Sequence, residues 1–138
     1  MKLSLGTAQF GMKYGVTNKN KISNSDISKI FYFMKNNLYK NIDTAADYGS
    51  SEEIIGKFNS NDFFNISTKI FIPKKNYETN YLLKNTNSSL IKTKASHFKT
   101  LFLHNPNILL YSNEMNKLII SDLKNLKKNK LIKSIGFS

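Results

Sequence analysis

Short runs of β-branched and aromatic residues alternate along this chain with longer stretches whose apolar residues recur every three or four positions. That alternation restricts the fold to a parallel α/β design. Leu3 to Thr7, Asn41 to Ala45, Asn65 to Phe71, Lys99 to His104 and Leu131 to Phe137 are the strand-like runs. Ser23 and Asp26 start a first helix, with Ile27, Ile30, Phe31, Met34 and Leu38 on one face; Ser50 and Glu53 form a capping box before Ile54, Ile55 and Phe58. Tyr77 to Lys94 form a third helix, and Met115, Ile119, Leu123 and Leu126 mark a fourth that Asn129 terminates in the left-handed conformation. Pro73 closes the third strand, and Asn105 and Pro106 stop the fourth. Four strand–helix units and a fifth strand follow one another without a linker, so the 138 residues form one domain.

Side chains alternate across a strand. Asp43 therefore shares a face with Asn41 and Ala45, Lys69 with Ser67, and His104 with Phe102, while Ile42, Ile66, Ile70, Leu101 and Leu103 lie on the other face beneath the helices. Three neighbouring parallel strands deliver a carboxylate, an ammonium and an imidazole to one rim, where the loops of parallel α/β proteins carry their chemistry. Tyr48 follows Asp43 closely enough for its phenol to fold back over them.

The formal charge of +12 owes nothing to arginine, which does not occur. Lysine is a hydrated point charge without the bidentate fork that reads bases and phosphates, and the aromatic residues are not interleaved with lysines at a recognisable spacing. The charge favours solubility over a nucleic-acid interface. The competing class is a non-enzymatic basic module for nucleic acid or another polyanion, which predicts steeply salt-dependent association. Absence of cysteine excludes disulfides and thiolate chemistry and fits a cytoplasmic protein. MKLSLGTAQFG turns polar too early for a signal peptide, and nothing approaches a membrane span. Lys124 to Lys133 read as a solvated helix end and strand edge, His97 as a solvated loop histidine, and Glu52 and Glu53 as dipole and capping acids at a helix start.

Asp43 and Tyr48 in IDTAADYGSSEEIIG, Lys69 in STK and His104 in LFLHNP resemble the Asp, Tyr, Lys and His tetrad of the aldo/keto reductases. LGTAQFG and KLIKSIGFS resemble that family's first strand loop and fifth strand. Its motif Y-G-x-S-E-x-x-[LI]-G is met by Tyr48, Gly49, Ser51, Glu52, Ile55 and Gly56. The resemblance implies a (β/α)8 TIM barrel, of which this chain supplies the N-terminal half. It also implies reduction of an aldehyde, ketone or sugar carbonyl by NADPH, or less often NADH, without a metal. The catalytic residues it implies are Asp43, Tyr48, Lys69 and His104, with cofactor contacts from Gly6, Thr7, Asp43 and Ser138. The glycines of GTAQFG do not spell G-x-G-x-x-G, so they fit close approach of backbone to a nicotinamide and not a Rossmann turn.

A free tyrosine holds its proton with a pKa of about 10, and a neighbouring ammonium lowers that value. Lys69, kept charged by Asp43, would thus prepare Tyr48 to protonate a carbonyl oxygen that His104, as a neutral donor, orients. Singly, each residue has an ordinary reading as turn acid, surface aromatic, solvated lysine or strand-end histidine; their ordered placement argues for one site. A barrel of this type needs about 250 residues. The resemblance puts the residues that hold the pyrophosphate and 2′-phosphate beyond position 138. Three readings follow: a piece of a full-length reductase, a half-barrel that pairs with a second chain or with itself through open edges, or a small domain with another job. The first is favoured, with poor or absent turnover expected of the chain alone.

Overall fold

The strand-like runs become β1 (Ser4–Gly6), β2 (Asn41–Asp43), β3 (Asn65–Ile70), β4 (Phe98–Leu103) and β5 (Ile132–Phe137) in the computed structural model, which describes residues 3–15, 21–105, 107 and 110–138. They pair in parallel in the order β1-β2-β3-β4-β5. A parallel sheet wound in strict chain order is part of a barrel, because a doubly wound sheet reverses direction partway. The helices are α1 (Ala8–Gly11), α2 (Asn24–Asn36), α3 (Ser51–Phe58), α4 (Tyr81–Thr93) and α5 (Asn113–Lys128). Among the described residues, no helix is long and apolar enough to cross a membrane.

Ile42, Ile66, Ile70, Leu101 and Leu103 are each at most 2% exposed and join one core with Ile27, Phe31 and Met34 of α2, Ile55 of α3, Leu82 of α4 and Leu126 of α5. Burying each such side chain is worth about 1.5–3 kcal/mol. This layer therefore decides which face of every strand is left for polar residues. On that face the register sets Gly6, Asp43, Ser67, Thr100 and Ser134 in one row, and Lys69, Phe102 and Gly136 in the next. The ladder continues past the strands through Ala46 N to Lys69 O (3.0 Å), His104 N to Ile70 O (2.9 Å) and Ser138 N to Leu103 O (3.1 Å), which fixes the rim where the chemistry is expected.

Three of the four crossover helices end in the same way. Leu38, Lys94 and Lys130 take positive φ of 56°, 50° and 58°. The next residue then donates five positions back: Tyr39 to Met34 O, Ala95 to Leu90 O and Leu131 to Leu126 O, at 2.9, 3.1 and 3.0 Å. This is the Schellman closure. Tyr39, Ala95 and Leu131 pack against the core and lead into β2, β4 and β5. A left-handed residue other than glycine is unfavourable by roughly 1–2 kcal/mol, and the apolar contact after it offsets that.

Several sequence expectations change accordingly. Leu38 is not on the α2 face but is its left-handed terminator, 70% exposed. Asn129 stays right-handed at φ −81°, and Lys130 turns instead. Ser50 makes no side-chain cap, whereas Ser23 accepts from Asp26 N at 3.1 Å as expected. The stretch GTAQFG is partly helical, as α1. The third helix begins at Tyr81 and not Tyr77, because Asp122 of α5, only 1% exposed, holds the preceding turn. Its carboxylate accepts from the Tyr77 hydroxyl (2.8 Å), Asn80 N (3.0 Å) and Leu82 N (3.1 Å). Pro106 lies outside the described residues.

Candidate active site

Asp43 ends β2 and Lys69 lies one residue short of the end of β3. With Asp43 level with Ser67, the Lys69 side chain reaches back along the strands to place Nζ 2.5 Å from Asp43 Oδ2 and 3.1 Å from Thr44 O. Lys69 is 8% exposed, so its ammonium is held in place by those two acceptors and not by bulk water. Tyr48 follows in a turn closed by its own N–H to Ala45 O at 3.1 Å. The Lys69 Nζ lies 5.3 Å from the centroid of the Tyr48 ring. The His104 ring stands edge-on to Tyr48, with centroids 6.2 Å apart and planes at 83°. The carboxylate, ammonium, phenol and imidazole thus lie in series along one rim.

The turn carrying Tyr48 is clamped against α1 by backbone contact. A β-carbon on Gly11 would lie 1.7 Å from the Tyr48 carbonyl oxygen, and one on Gly49, where φ is +57°, would lie 2.5 Å from Gly11 O. Directly below, the buried Ser51 hydroxyl bonds Thr7 Oγ1 at 2.8 Å and Thr7 O at 3.0 Å, and lies 3.2 Å from Thr44 Oγ1. Two strand-end segments, those after β1 and β2, are thereby tied to the start of α3. Gly56 has its own reason, since a β-carbon there would meet Lys92 O of α4 at 2.0 Å. Gly11 and Thr44 escape a reading by residue type alone, whereas Ser51 and Gly56 are motif positions.

A groove of about 290 Å³ opens beside these residues, lined by Gly6, Thr7, Ala8, Gln9, Tyr14, Asp43 and Tyr48. Among the described residues, no atom beyond its chain neighbours lies within 4 Å of where a Gly6 β-carbon would project, so the groove is open there. The Thr7 hydroxyl is already engaged, donating to Asp43 O at 3.1 Å. Ser138 is exposed at the end of β5. His97 stands ahead of β4, with its Nδ1 2.8 Å from Ser96 Oγ, away from this rim. Asp47, which the sequence reading passed over, lies with Oδ2 3.7 Å from His104 Nδ1.

Glu52 is not the surface dipole acid its position suggested. It is 1% exposed and accepts from Thr68 Oγ1 at 2.9 Å. Glu53 instead reaches Lys92 at 3.2 Å across the surface. Burial pushes the Glu52 carboxyl up, by more than the hydrogen bonds from Thr68 and Ser89 and the nearby Lys92 charge draw it back. The folded chain therefore holds this proton more tightly than the unfolded chain. Stability from this group is complete below the ordinary carboxylate range and is lost as pH rises through the raised folded value. Glu52→Gln should remove that loss. Between about pH 4 and 7, urea midpoints of the variant should gain on those of the parent as pH rises, and parallel curves would contradict the buried carboxyl.

Comparison with known proteins agrees with the fold. The model of the Aldo/keto reductase family matches residues 2–138. A search of curated proteins finds no match. Among solved structures, a Pseudomonas aeruginosa protein assigned to the aldo-keto reductases superposes with a TM-score of 0.75 at 23% identity, over 99% of this chain and 55% of its own. The holo form of the aldo-keto reductase AKR11C1 from Bacillus halodurans gives 0.73 at 17% identity, over 99% and 45%. An aldo-keto reductase from Klebsiella pneumoniae, solved in complex with NADPH, gives 0.68 at 14%, over 99% and 44%. The chain thus spans about half the length of the structures it resembles, and its sheet corresponds to part of their barrel. The family match over nearly every residue, on a parallel sheet wound in barrel order, means that this chain belongs to the aldo/keto reductase family.

Proposed function

We propose that the chain carries the proton-donating part of an NAD(P)H-dependent reductase acting on an aldehyde, ketone or sugar carbonyl. The observation that supports it most is the Lys69 ammonium, 2.5 Å from Asp43 and 5.3 Å from the Tyr48 ring. Gly6, Thr7, Asp43 and Ser138 would hold a reduced nicotinamide, which would supply the hydride that no side chain can. Tyr48 gives its proton to the carbonyl oxygen as negative charge grows there. The phenolate left behind is stabilised by the Lys69 ammonium, which Asp43 keeps charged in a poorly solvated position. His104 presents the carbonyl oxygen to Tyr48. On this reading the groups that clamp the cofactor's phosphates belong to the other half of the barrel.

The test joins this chain at Ser138 to the second half of a solved relative and follows NADPH absorbance with a panel of aldehydes. Tyr48→Phe should lower the rate roughly a hundred- to ten-thousand-fold, the usual worth of a positioned acid. An unchanged rate in Tyr48→Phe would refute the acid role. Assayed by itself, the 138-residue chain should turn over poorly or not at all.

A further inference from the structure

We infer that Asp47 is a positioning residue for His104, one that holds the proton on Nδ1 and leaves Nε2 as the nitrogen that meets a ligand oxygen. Asp47 immediately precedes Tyr48, inside the turn closed by Tyr48 N and Ala45 O. Its Oδ2 faces His104 Nδ1 at 3.7 Å, with the two side chains 58% and 28% exposed. That span exceeds a direct hydrogen bond, and one bridging water or a small side-chain rotation would close it. Burial and then the Asp47 charge also hold the Tyr81 phenol, at the start of α4, above its usual range.

The partner on one ring nitrogen decides which nitrogen carries the proton of a neutral imidazole. A carboxylate accepts and never donates when ionised, so a proton on Nδ1 is the arrangement Asp47 stabilises. Neutral His104 then offers Nε2 as a lone pair, suited to receiving the hydroxyl of an alcohol. It donates from Nε2 to a carbonyl oxygen only as imidazolium. This departs from the expectation of a neutral donor, since a neutral ring protonated on Nδ1 accepts at Nε2. The use of this arrangement rests on the proposed reductase function, but its test does not.

The chain has two histidines, so two-bond proton–nitrogen spectra of the uniformly labelled protein can be assigned with a His97→Gln variant. At alkaline pH, where the rings are neutral, His104 should show the Nδ1–H pattern. Asp47→Ala should abolish that pattern at His104 while His97, bonded to Ser96, keeps its own as an internal control of folding. A His104 ring already protonated on Nε2, or one that Asp47→Ala leaves unchanged, overturns the inference. Neither result depends on turnover, so failure here and failure of the reductase reading are told apart.

Discussion

Gly11→Ala is expected to dislodge the Tyr48 turn and to lower folding stability by roughly 3 kcal/mol, the upper end of the overpacking range. The added carbon would sit 1.7 Å from Tyr48 O and 2.5 Å from Ser51 N, and both are backbone atoms that no rotamer change can move. Relief requires α1 and the Tyr48–Ser51 segment to separate. Separation breaks the contact of Gly49 with Gly11 O and strains the Ser51 bonds to Thr7. The phenol would then leave its place beside Lys69 and His104 even in molecules that remain folded. Urea unfolding reads the first effect. Ring-proton contacts between Tyr48 and His104, whose centroids are 6.2 Å apart, read the second. A stability loss below about 1 kcal/mol with the Tyr48–His104 contact intact would mean that α1 yields easily and does not fix the phenol.

This dependence explains what a reader of the sequence can and cannot obtain. Ile42, Ile66, Ile70, Leu101 and Leu103 declare their face by alternation, and the opposite face follows, so the meeting of Asp43 and Lys69 is legible from a period of two. Helix ends were less legible because the chain uses Leu38, Lys94 and Lys130 where glycine or asparagine usually signals a left-handed residue. The stabilising contact there lies in the residue after each, against a core that only the folded chain possesses. Glu52 followed a serine pair at a helix start and so read as a surface acid. Its burial depends on Thr68, sixteen positions along on a different element. Asp47 and His104 are separated by two whole strand–helix units. Pairs of that kind are products of register, and no local pattern announces them.

Asp122 is the largest such case, and Asp122→Ala should destabilise the chain by about 4 kcal/mol. Removal leaves two buried donors, the Tyr77 hydroxyl and Leu82 N, without a partner, at roughly 1–3 kcal/mol each, and it also frees Asn80 N. Asn80, left-handed at φ 67°, makes no side-chain cap for α4. The carboxylate from α5 does that work across 40 residues of sequence, and its charge also favours the positive end of the α4 dipole. Asp122→Asn keeps an acceptor but turns an amide N–H toward donors, so it should lose part of the same stability. Because Tyr81 begins α4 and feels the Asp47 charge, loosening this end should also reach the candidate site. Urea midpoints check the magnitude, and amide exchange at Leu82 and Leu83 checks the location. Rapid exchange confined to those amides with a midpoint close to the parent's would show that α4 frays locally and that Asp122 does not anchor the fold.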